Sequence, residues 1–131
     1  MAETGYNWAA TSELYSAADT ADGNDATTDA QSLDGKAACE VGLTITVASG
    51  TVDAALDIFV LGTVDGTNYE TMTAGSPWSF QVLPVSGATV YKRFPVSPSQ
   101  YSSFKVGISN ETNVTVNLTV DVFTATIPAA S

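Results

Sequence analysis

Beyond residue 33 the chain alternates apolar and polar side chains with a period of two. In residues 40–49 (EVGLTITVAS) Val41, Leu43, Ile45 and Val47 share one side, and Gly42, Thr44, Thr46 and Ala48 the other. That is the pattern of a strand with one face in a core and one in water. Residues 113–123 (NVTVNLTVDVF) repeat it with Val114, Val116, Leu118, Val120 and Val122, and residues 103–109 (SFKVGIS) with Phe104, Val106 and Ile108. Residues 78–83 put Trp78, Phe80 and Val82 in phase, and residues 88–94 carry Val90 and Phe94 on either side of a wetter middle. Residues 56–61 (LDIFVL) differ: Ile58 and Val60 occupy one face, Phe59 and Leu61 the other. A strand apolar on both faces is central or meets a second surface. Turn-forming clusters separate these stretches at Ser49-Gly50, Asp65-Gly66, Gly75-Ser76-Pro77, Ser86-Gly87, Ser97-Pro98-Ser99 and Ser109-Asn110. Short strands at this spacing, with no helical stripe after residue 33, predict an all-β fold: an antiparallel β-sandwich, jelly-roll or Ig-like, of about six to eight strands.

Composition changes near residue 33, the one boundary the sequence offers. Residues 15–31 (YSAADTADGNDATTDAQ) are mostly Ala, Asp and Thr, with too little apolar surface to offset the entropy of ordering such a segment alone. The expected organisation is an extended N-terminal arm over residues 1–32 and a β-sandwich domain over residues 33–131. Tyr6, Trp8, Leu14 and Tyr15 lie at or ahead of the start of that polar stretch. Aromatic side chains on an arm need a surface to lie on, so these four are the candidate contacts with a neighbouring subunit or shell. If the arm is separate, replacing Trp8 and Tyr15 by Ala leaves the stability of the free domain unchanged.

At 131 residues the chain can form one domain without a disulfide framework, and its single Cys39 reads as a small apolar side chain near a strand start. With 14 Asp and Glu against 4 Lys and Arg, the net charge of −10 argues against a nucleic-acid partner. It favours a soluble, self-repelling chain drawn to basic surfaces. Histidine is absent, which removes the usual neutral-pH base, the commonest zinc and iron ligand, and Ser-His or Cys-His nucleophiles. The N-terminus has no basic start followed by an apolar stretch, and no run is apolar enough to span a bilayer, so a protein made in the cytoplasm with no membrane partner is expected. Three Asn-x-Thr triplets, at Asn110, Asn113 and Asn117, read as polar positions of a Thr-rich strand rather than as glycosylation sites.

Asp65-Gly66-Thr67-Asn68 is the first candidate for chemistry. Asp-Gly after an apolar strand predicts a hairpin turn, whereas a calcium loop requires several carboxylates at close alternate spacing and Asp65 has only Asn68 and Glu70 nearby. Asp19, Asp22, Asp25 and Asp29 miss the calcium-loop register and read as a solvated acidic linker. Asp53, Asp57 and Asp121 read as outward-facing acids rather than the opposed pair of a glycosidase. Trp78 reads as a core or subunit contact, and Tyr69, Tyr91 and Tyr101 are the aromatics an alternative, carbohydrate-binding role would use. No catalytic residue, metal ligand or cofactor is expected.

From Leu56 to Glu70, LDIFVLGTVDGTNYE resembles a family of small structural proteins encoded in tailed-bacteriophage virion gene clusters. The likeness extends to QSLDGKAACE, VGLTITVAS and YSSFKVGISNETN and covers most of residues 30–112. Gly62-Thr63 stands where such proteins more often carry Pro-Ser. The resemblance implies a head decoration or cement protein on the virion surface. Its implied partners are the major capsid protein and further copies of the chain in a homo-oligomer such as a trimer. The alternative is a tail-associated or head-displayed module binding carbohydrate or a host surface.

Overall fold

The computed structural model describes residues 7–8, 12–72 and 78–126. Along them lie the strands β1 (Asn7–Trp8), β2 (Ser12–Thr20), β3 (Asp25–Thr27), β4 (Gln31–Ser32) and β5 (Ala38–Val47). They are followed by β6 (Leu56–Thr63), β7 (Ser79–Val82), β8 (Ala88–Pro95), β9 (Ser103–Ser109) and β10 (Val116–Thr126). In the first sheet β1 and β2 share one side of β10, whose other side pairs with β5, and β5 pairs in turn with β8. In the second, β3 and β4 share one side of β9, followed by β6 and then β7. The segments thus fill four positions in each sheet, and all the named strand pairings are antiparallel.

The pairings nest. β2 pairs with β10, β3 and β4 with β9, β5 with β8, and β6 with β7, so the chain runs back along itself about the connection between β6 and β7. Rolling that long ribbon also brings β10 beside β5 and β9 beside β6. This is a jelly roll. The four inner strands are those with the longest inward-facing apolar rows. Val41, Leu43, Ile45 and Val47 of β5 and Val116, Leu118, Val120 and Val122 of β10 form one cluster with Leu56, Ile58 and Val60 of β6 and Phe104, Val106 and Ile108 of β9. Each such side chain contributes about 1.5–3 kcal/mol on leaving water. β6, apolar on both faces, is central as expected. Phe80 of β7 meets Phe94 of β8 edge-on, ring centroids 4.9 Å apart, which seats one edge strand over the other. The sandwich therefore has two narrow sides, one made of β7 and β8 and the other of β1 to β4.

The described part of the leading 32 residues is built into the sheets and does not extend away as an arm. β2 follows β10 from Thr20 opposite Val116 to Ser12 opposite Val122, with register shifts around Val120, and β1 continues opposite Ala125 and Thr126. β3 and β4 line β9 in the same way. Between them Thr28 keeps the pairing closed: its N–H donates to Val106 O and its Oγ1 accepts from Val106 N–H, both at 3.0 Å. The outer backbone groups of β9 and β10 need partners, and a polar strand can satisfy them without an apolar row of its own. The change in composition thus marks edge strands rather than a domain boundary.

Candidate functional site

The Asp65 turn uses its own polar groups. Asp65 Oδ1 accepts from Thr67 N–H and Asn68 N–H at 2.8 Å and from Thr63 Oγ1 at 2.9 Å, while Oδ2 accepts from Asn68 Nδ2 at 2.7 Å. The Asn68 and Thr67 amides above all hold the carboxyl well below the usual carboxylate range. Gly66 supplies the positive φ of 78° that the bend requires. The stretch is a corner, as expected, but not a hairpin: β6 ends at Thr63 and β7 begins only at Ser79.

The loop after Asp65 folds back on the second sheet. Gly62 N–H donates to Glu70 Oε1 and Glu70 N–H to Gly62 O, both at 3.0 Å. The ring of Tyr101 lies where a Cβ on Gly62 would be, and burial pushes its phenol up to about 12, with a hydrogen bond and the charge of Glu70 adding to the shift. Tyr69 Oη donates to Ser103 Oγ at 3.0 Å, and Lys105 Nζ sits 4.4 Å from the centre of its ring. Met72 and Leu61 meet above Gly107, so the second apolar face of β6 is covered in part by this loop. Of the three tyrosines considered for carbohydrate, Tyr69 and Tyr101 are engaged in holding the loop. Tyr91 stays open, 75% exposed.

At the opposite end Asn110 is fully buried. Its Nδ2 donates to Thr20 O at 2.8 Å and Val114 O at 2.9 Å, and its Oδ1 accepts from Thr112 N–H at 3.0 Å and Thr112 Oγ1 at 2.6 Å. The first Asn-x-Thr triplet is therefore an internal brace, closed to a glycan. Asp22 joins it by accepting from Asn113 N–H at 2.8 Å. Of the three carboxylates that glycoside cleavage would draw on, Asp57, bonded to Gln81 Nε2 at 2.9 Å, lies on the outer face of the second sheet and Asp121 on that of the first, facing away from each other, and Asp53 is exposed in the loop between β5 and β6. No group of three or more His, Cys, Asp or Glu able to hold a metal occurs among the described residues. Cys39 is buried, and burial, reinforced by Glu40, pushes its thiol up to about 11.

What remains open is apolar surface. On the outer face of the first sheet, Arg93 Nε contacts Glu40 Oε1 at 3.0 Å and its guanidinium lies 4.9 Å from the centre of the Phe123 ring, which itself covers Gly42. Tyr91 and Trp8 flank this stack, Trp8 half-exposed opposite Ala125. Around β7, Leu83 and Val85 are exposed and Trp78 is 48% exposed. Phe80 and Val82 turn inward as the period predicts. Trp78, ahead of the strand, instead lines a cleft of about 360 Å³ with Val60, Tyr101 and Pro98, with Cys39 in its wall. Of the four arm candidates, Trp8 lies in β1, Leu14 and Tyr15 lie in β2, and Tyr6 falls outside the described residues.

The charges are unevenly spread along the chain. Between Glu70 and Glu111 there is no Asp or Glu, and Lys92, Arg93 and Lys105 all fall in that gap. The fold sends this stretch to β7, β8 and β9, and places Asp25 in β3 and Asp29 between β3 and β4 on the side made of β1 to β4, with Asp22 in the turn before β3 and Asp34 in the turn after β4, all four exposed. The spacing of acidic positions along the chain is the signal that finds it.

No family model and no curated protein matches this chain. Among solved structures, it is similar to a chain from the disulfide-linked pili formed by Bacillus endospore appendages, with a TM-score of 0.50, 12% sequence identity, and 98% of this chain and 96% of that one covered. That likeness is one of fold.

Proposed function

We propose that the chain is a non-enzymatic structural subunit of a tailed-phage particle, a decoration or cement protein seated over junctions between copies of the major capsid protein. The observation that carries this reading is the outer face of the first sheet, where Tyr91 stands exposed and Trp8 half-exposed beside the Arg93–Phe123 stack of the jelly roll. Large apolar and aromatic groups held on a fixed platform suit docking to another protein. Each aromatic contributes about 1.5–3 kcal/mol when it leaves water, and symmetry repeats the contact at every equivalent junction. Avidity then gives the layer more strength than one contact supplies. The likeness to a pilus chain supports the building-block part of the reading, since in that assembly too the fold serves as a repeated part. The phage part rests on the sequence resemblance over residues 56–70.

Adding the purified chain to particles that lack it tests the proposal. Bound copies should raise the temperature at which the particles release their genome, and Trp8→Ala with Tyr91→Ala should weaken binding without lowering the melting temperature of the free protein by more than a few degrees. Particles that neither bind the chain nor gain heat resistance would contradict it. The alternative, a carbohydrate-binding module, retains Tyr91 as its exposed aromatic. It predicts retention on a glycan array that Tyr91→Ala abolishes.

A further inference from the structure

We infer that the narrow side made of β7 and β8 docks, through side chains, against the narrow side made of β1 to β4 of a second copy of this chain. The inference rests on the building-block reading and names the contact between copies. The two sides are complementary. The strands β7 and β8 carry Lys92 and Arg93 with the exposed Leu83 and Val85 beside them and no carboxylate of their own, while the other side presents the exposed Asp25 and Asp29, with Asp22 and Asp34 in the adjoining turns. Arg93 is engaged by Glu40 on its own sheet. Lys92 has no ion pair among the described residues and is the cation left to meet a carboxylate.

The contact is not an added strand. Lys92 stands opposite Leu43, between the core-packed Val90 and Phe94, so its side chain leaves from the inward side of an edge strand. An inward charge at that position disfavours another strand docking alongside, and β7 is only four residues long. Side chains therefore make the contact, with Leu83 and Val85 as the apolar part and Lys92 setting direction. Because the two surfaces differ, the association is head-to-tail and closes into a ring where the rotation allows. With the whole molecule at −10, repulsion opposes it at long range. Contact at short range competes with that repulsion, so mass should rise with protein concentration.

Sedimentation of the full chain over a range of concentrations in low and high salt tests this. Wild type should form species heavier than the monomer. Leu83→Ser with Lys92→Ser, and separately Asp25→Ser with Asp29→Ser, should each remain monomeric with unchanged melting temperatures, because all four residues lie on the surface. Mixed together, the two variants should give a heterodimer and nothing larger, since each retains one working side. A wild type that is monomeric throughout, variants that associate like wild type, or a mixture that stays monomeric would overturn the inference. A monomeric wild type that still binds particles would overturn this contact alone, whereas self-association without particle binding would leave the contact standing and contradict the phage reading.

Discussion

At the scale of single residues, the polar groups that look most like chemistry in the sequence serve mainly to brace loops. Asn110 bridges Thr20, Thr112 and Val114 with no exposure to water. Asn110→Ala leaves several buried partners unpaired, and since each such group costs about 1–3 kcal/mol, urea denaturation should show a loss of about 3 kcal/mol. Gly62 admits the Tyr101 ring. Gly62→Ala forces the ring away and should cost about 1–3 kcal/mol by overpacking, with Tyr101 moving toward an ordinary phenol in a spectrophotometric titration. Asp65 gives a pH dependence of known sign. Its carboxyl is held below the ordinary value of about 3.9, so the folded state favours the charged form. The stabilisation is complete above that value and is lost as the pH falls through the folded-state value. Asp65→Asn should therefore show a shallower loss of stability than wild type between about pH 5 and the acid limit, in unfolding curves measured at successive pH values.

At the scale of elements, legibility tracks apolar content. β5, β6, β9 and β10 can be read from their alternation because each sends an unbroken row into the core. β2, β3 and β4 cannot, because an edge strand that satisfies the outer backbone groups of β9 and β10 carries no such row. Trp78 matches the inward phase of Phe80 and Val82, but the strand starts at Ser79 and phase has no meaning ahead of it. Asp65-Gly66 reports the local bend correctly and the next strand wrongly, since turn residues fix their own backbone dihedrals and not the path of the chain beyond them. The candidate contacts Trp8, Leu14 and Tyr15 lie on paired strands. Removing residues 1–24 should therefore lower the melting temperature and speed amide exchange along β10. An unchanged melting temperature and unchanged protection would mean that the leading strands contribute nothing to the domain.

At the scale of the whole molecule, the jelly roll separates its surfaces by character: an aromatic face on the first sheet, a face partly covered by a loop on the second, a side whose strands β7 and β8 carry no carboxylate, and a more acidic side opposite. A body with distinct faces suits repeated placement in a lattice, and its stability and attachment should be separable, because the core residues and the exposed aromatics do not overlap. As a proposed decoration protein, the chain should be a stoichiometric part of a phage particle. Quantitative mass spectrometry of purified particles decides this: the chain should appear in a fixed, high ratio to the major capsid protein from one preparation to the next, and its absence from the particles, or a trace amount that washes away, would overturn the proposal.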